Sequence, residues 1–168
     1  MITMVSDEQK YQKIINKIIK KSFPELQKKK VIVEVRELKV GSMWAAKHLK
    51  YYKIIIDPIR NNLDGKSYFI GTFAHELVHF KNYSGIFGWG RCFLENLAFQ
   101  LAKFNKIPMA LFERGTDRET VRRGYAKELY KNRSLRWKNS SKEYWDKWSH
   151  CYLSPEEIKS YAQKINKW

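Results

Sequence analysis

Cysteine is almost missing from this chain of 168 residues: Cys92 and Cys151 are the only two. A disulfide framework and a Cys-x-x-Cys metal knuckle are both excluded. Long apolar runs are missing too. No stretch approaches the roughly 20 apolar residues a membrane span needs, so no spanning helix is expected. Met1 to Lys10 is polar and lacks an apolar core, so no secretory leader is expected. With so little cysteine, the expected setting is reducing and cytoplasmic. Acid is scarce: 17 Asp+Glu stand against 33 Lys+Arg, a net charge of +16. The imbalance favours anionic partners. Yet the basic residues are scattered, and the densest runs, Lys28-Lys29-Lys30 and Arg122-Arg123, are short. A solvated basic surface is expected ahead of a dedicated nucleic-acid face. Repeats and low-complexity segments are absent.

What is present is a composition that folds. Hydrophobic residues make up 43 % and aromatics 15 %, enough for one domain over residues 1–168 with a sizeable core. Ser6 and Gln9 form a capping box, and Tyr11, Ile14, Ile15, Ile18 and Ile19 recur at helical spacing, which predicts a helix over about 7–21. Val31 to Val35 is β-branched and alternating, so it reads as a strand. After a turn at Gly41-Ser42, Met43 to Leu49 and Tyr51 to Ile56 read as two more. Asn61 to Gly65 reads as a loop. Helices follow: one to about Tyr83, one over about 91–105, one from Pro108 to about Asn132, one over about 142–149 and one opening at Ser154-Pro155. Three short strands with a helical block predict the α+β class.

One stretch carries chemistry. Phe73-Ala74-His75-Glu76-Leu77-Val78-His79-Phe80 reads His-Glu-x-x-His inside an apolar helical pattern. Residues four apart share a helix face, so His75 and His79 can reach one ion. Glu76 lies about 100° round the helix, beside the metal rather than on it, where a general base belongs. A pair of histidines serving only the core would leave Glu76 without a role. The pattern points to a single Zn2+ held by two imidazoles and a third protein ligand, with one position left open.

No histidine follows His79 within 70 residues, so the third ligand is sought among carboxylates. Glu113 and Asp117, four apart on one helix, stand out: Glu113 can bind the metal while Asp117 accepts the outer N–H of a ligating imidazole. Glu95, also on a helix, is the alternative ligand.

The pairing of Ala74-His75-Glu76-Leu77-Val78-His79 with a downstream Glu-x-x-x-Asp helix resembles the gluzincin metallopeptidases. It is most similar to the soluble minigluzincins, minimal relatives of the membrane-embedded CAAX-prenyl and heat-shock zinc peptidases. The resemblance rests mainly on residues 69–130. It implies a zincin-like domain and a zinc endopeptidase acting on peptide or protein substrates. Residue by residue, it implies His75, His79 and Glu113 as ligands, Glu76 as base and Asp117 behind a ligand. The spanning helices of the membrane relatives have no counterpart here, so their prenylated substrate is not implied.

Further expectations are attached to that reading. His48, Arg122, Arg123, Tyr125 and His150 are candidate donors to a developing oxyanion, with Tyr125 favoured because it lies twelve residues past Glu113 and eight past Asp117. Met43 to Leu49 or Tyr51 to Ile56 is expected to offer an edge strand to substrate. The aromatic tail, residues 133–168, is read either as helices closing the core or as a segment covering the cleft and holding the enzyme latent, with His150 or Cys151 filling the open metal position. Two alternatives join the motif to the charge. One is a basic DNA-associated metalloprotease of the SprT-like kind, which would use a third downstream histidine. The other is a nucleic-acid-binding module in which the motif is incidental.

Overall fold

The computed structural model describes residues 2–38, 43–58 and 66–168. The Gly41-Ser42 turn, the Asn61–Gly65 loop and the Ser6 side chain of the expected capping box lie outside the described residues. Helix α1 (Ile2–Ser22) buries Ile15, Ile18 and Ile19 on one stripe. A single 3₁₀ turn, Pro24–Leu26, then leads to the sheet.

The sheet consists of β1 (Val31–Val35), β2 (Met43–Lys47) and β3 (Tyr52–Ile56), in the order β1-β3-β2. β3 runs parallel to β1, with Val33 opposite Ile54, and antiparallel to β2, with Ala45 opposite Ile54. β3 is the middle strand: Tyr52, Ile54 and Ile56 join the core on one face, while on the other Lys53 pairs with Glu34 at 2.6 Å. Tyr51 to Ile56 therefore cannot be an edge strand, contrary to one sequence expectation. The outer edge of β1 is closed by α1. Gln12 donates to Val31 O and accepts from Val33 N, both at 3.0 Å, and Glu8 accepts from Val35 N at 2.9 Å. Among the described residues the outer edge of β2 has no such cover.

Helix α2 (Lys66–Tyr83) lays Phe73, Leu77, Val78 and Phe80 into the core with Ile15, Ile54 and Ile56. Helix α3 (Gly88–Leu101) and helix α4 (Ile107–Arg122) flank its other side. The sequence suggests one helix from Pro108 to Asn132, but the chain breaks at Gly124, whose φ is +88°. Gly124 N donates to Val121 O and Tyr125 N to Thr120 O, the paired bonds of a left-handed helix stop that glycine adopts without steric cost. Helix α5 (Ala126–Asn139) then returns across α2. The two touch backbone to backbone at Gly71, where a Cβ would lie 2.6 Å from the Glu128 carbonyl. Asn132 donates to Thr72 across the same crossing, at 2.6 Å.

Helix α6 (Lys142–Trp148), a 3₁₀ turn at Ser149–Cys151 and helix α7 (Pro155–Lys164) complete the chain. α7 starts in a full Ser154/Glu157 capping box and packs Ile158 and Ala162 against Val121, Leu129 and Leu153. The result is an α+β fold, a small mixed sheet beside a helical block. Among the described residues no helix is long and apolar enough to cross a membrane.

Candidate metal centre

His75, His79 and Tyr83 lie four residues apart on the face of α2 turned toward α3 and α4. Each histidine is gripped from behind by a carboxylate. His75 Nδ1 bonds Asp117 Oδ1 at 2.8 Å, and His79 Nδ1 bonds Glu95 Oε2 at 2.9 Å. An ionised carboxylate can only accept, so the hydrogen sits on Nδ1 and both Nε2 atoms point the other way. They meet each other at 3.3 Å, and Glu113 Oε2 lies 3.1 Å from the first and 3.9 Å from the second. These are the only donor atoms among the described residues that gather in a group able to hold a metal ion. A tetrahedral ion with bonds of about 2.0–2.1 Å separates its ligand atoms by about 3.3 Å, so the triangle has the right size.

The carboxylates behind the two histidines are themselves fixed. Asp117 is fully buried; Arg133 Nη2 donates to Oδ1 at 2.8 Å and Leu153 N to Oδ2 at 2.9 Å. Glu95 accepts from the Tyr83 hydroxyl at 2.5 Å and from Arg91 Nε at 2.7 Å. Burial alone would push these carboxyls up. Arg133 and His75 instead hold Asp117 well below the usual carboxylate range, and His79, Tyr83 and Arg91 hold Glu95 at about 2. Burial alone would lower the imidazoles. Asp117 and Glu113 raise His75 to about 10, and Glu95 with Glu113 raises His79. The buried pocket therefore favours positive charge between its nitrogens, the charge a metal ion supplies.

Glu76 is half-buried, and among the described residues its carboxylate has no hydrogen-bond or ion-pair partner. It is the one acid on this stretch of α2, and it is left free next to two acid-braced histidines.

The structure brings together His75, His79, Glu113 and Asp117, with Glu76 adjacent. Glu95, weighed in the sequence as a rival ligand, braces His79 and lies outside the donor triangle. Tyr125 is taken elsewhere: its ring joins the apolar core, and its hydroxyl bonds Ser22 Oγ at 3.0 Å. Arg123 anchors the end of α1 through Ser22 O and Glu25, and Arg122 pairs with Glu119. His48 stacks on Tyr51 in the β2–β3 turn. His150 is exposed, and Cys151 is buried among Ala98, Ala102 and Met109. Gly115, between Glu113 and Asp117 on α4, faces open space.

Arg133, Leu153 and Tyr152 carry no sequence signal, because only the return of α5 and the tail brings them in. Tyr152 packs its ring 6.2 Å from that of His75 and lies 4.3 Å beneath the Arg133 guanidinium. Tyr83 and Glu95 do carry a signal: Tyr83 continues the four-residue series of His75 and His79, and Arg91–Glu95 is an i,i+4 pair. No family model, curated protein or solved structure matches the chain.

Proposed function

We propose that the chain is a zinc-dependent peptidase with His75, His79 and Glu113 as ligands and Glu76 as general base. The observation that carries the reading is the triangle of Nε2, Nε2 and Oε2 atoms at 3.1–3.9 Å, with a free carboxylate next to it. Two neutral imidazoles and one carboxylate are a catalytic zinc donor set, since they leave a coordination position open. Zinc held there would polarise a substrate carbonyl and lower the pKa of water.

The protein's own groups do the rest. Asp117 and Glu95 fix the tautomer and tilt of the ligating rings, so both Nε2 lone pairs converge. Glu76 takes a proton from the attacking water and returns it to the leaving amine. The uncovered edge of β2 offers main-chain hydrogen bonds to an extended peptide. Tyr152, against His75, covers one side of the cluster, and in this reading the tail restrains activity.

The test is hydrolysis of an unstructured protein such as casein by zinc-loaded wild type and by Glu76→Gln. Cleavage by the wild type and a loss of about 10³-fold or more in the variant, with metal retained, is the expected result. Cleavage by Glu76→Gln at the wild-type rate removes the assigned base. Metal binding without cleavage in either protein identifies a non-catalytic metal site. Replacing Tyr152 with Ala is expected to raise the rate; an unchanged rate in a folded product removes the restraint.

A further inference from the structure

Helix α3 is inside out. Its ion pair, Arg91–Glu95, and its small residues Gly88 and Ala98 are on the side facing the protein, while Trp89, Phe93, Leu94, Leu97 and Leu101 face outward. Phe93 is 66 % exposed, Trp89 54 % and Leu97 42 %. A helix on the surface of a globular protein normally shows the reverse arrangement. The apolar surface continues past the helix through Phe104, 80 % exposed, to Leu111, 71 %. Single exposed apolar residues are ordinary, but a run of this length marks a surface that something covers.

Charge decides what covers it. From Ser84 to Phe112 the one acid is Glu95, which is buried and paired; the bases are Arg91, Lys103 and Lys106. The outward arc of α3 carries no charge at all, its polar members being Gly90, Asn96 and Gln100. A second copy would bring two chains of net charge +16 together across a face that contains no free acid. A surface that is apolar beneath and anionic at its boundary satisfies both features.

We propose that α3 and the turn after it dock on an anionic phospholipid bilayer. The helix lies in the interfacial plane with Phe93 and Leu97 below the headgroups and Lys103 and Lys106 among the phosphates. Trp89 suits the headgroup level, where an indole is both apolar and hydrogen-bonding. The inference stands apart from the metal reading, although the two share a helix: the side of α3 opposite the bilayer holds Glu95 against His79.

Flotation of the full chain with phosphatidylcholine vesicles, with and without phosphatidylglycerol, tests it. The wild type should float with the anionic vesicles, and weaken about tenfold or more when phosphatidylglycerol is omitted. Leu97→Glu should lose about tenfold or more in binding to anionic vesicles while keeping its helical circular dichroism, and Phe93→Ser should do the same should the first variant fold poorly. Absence of flotation overturns the proposal. So does flotation untouched by both variants, which would be adsorption through net charge alone. A dimer seen by light scattering and abolished by Leu97→Glu, with no flotation, assigns the face to a second copy and also overturns it.

Discussion

His75 and His79 are held alike, each with a buried carboxylate on Nδ1, but the two supports differ in what else they do. Glu95 serves His79 with help from Tyr83 and Arg91, all three on α2 and α3. Glu95→Gln is therefore expected to weaken metal binding about 10–100-fold with little change in fold, measured by competition with a chelator. Unchanged affinity would show that Glu95 does not orient the ring. Asp117 joins α2, α5 and the tail through His75, Arg133 and Leu153. Asp117→Ala leaves Arg133 buried without its carboxylate and should cost about 3–5 kcal/mol in urea unfolding. A loss below about 1 kcal/mol would contradict its role as a hub. At this scale the grouping of His75, His79, Glu113 and Asp117 was legible, because His75/His79 and Glu113/Asp117 each use the four-residue helical repeat. Tyr125 shows the limit of that logic. Its spacing from Glu113 suggested a shared face, but Gly124 ends the helix one residue earlier and resets the period.

At the scale of elements, the strands and α1 follow directly from β-branched alternation and the isoleucine stripe. Sheet order does not: nothing in Tyr51 to Ile56 alone says that β3 sits between β1 and β2. The direction an apolar stripe faces is equally hidden. Phe93, Leu94, Leu97 and Leu101 share a side of α3 with the look of a core face, yet it is Ala98 and Glu95 that are buried. Two glycines separate close approach from open space. Gly71→Ala drives a Cβ into the Glu128 backbone and should destabilise by about 1–3 kcal/mol. Gly115→Ala meets nothing within 4 Å and should stabilise by about 0.5–1 kcal/mol through helix propensity. Thermal unfolding of the two variants in parallel checks both signs. Equal effects would mean that the α2–α5 contact at Gly71 is looser than described.

Across the whole molecule, the excess of base is used partly to tie distant segments. Arg123 donates to Ser22 O at 2.6 Å and pairs with Glu25 and Glu119, joining the end of α1 to α4. Burial opposes ionisation of both acids, yet Arg123, with Lys81, sets both below the ordinary value of 4.5. Carboxylates depressed in the folded state stabilise it fully above 4.5, and that contribution is lost as pH falls below this value. Urea midpoints from about pH 6 down to about pH 3 should fall for wild type, and fall less steeply for Arg123→Gln. Parallel slopes would remove the pair from the account. The net charge was visible in the composition; that it spares one uncharged apolar face on α3 and knits α1 to α4 depends on packing between segments far apart in sequence.

The central claim is that His75, His79 and Glu113 hold one metal ion, and metal content measured per chain tests it most directly. Wild type purified with zinc present should carry one zinc per chain after removal of loose metal, and Glu113→Ala should carry little or none. A metal-free wild type, or a Glu113→Ala chain that keeps its zinc, would contradict the account.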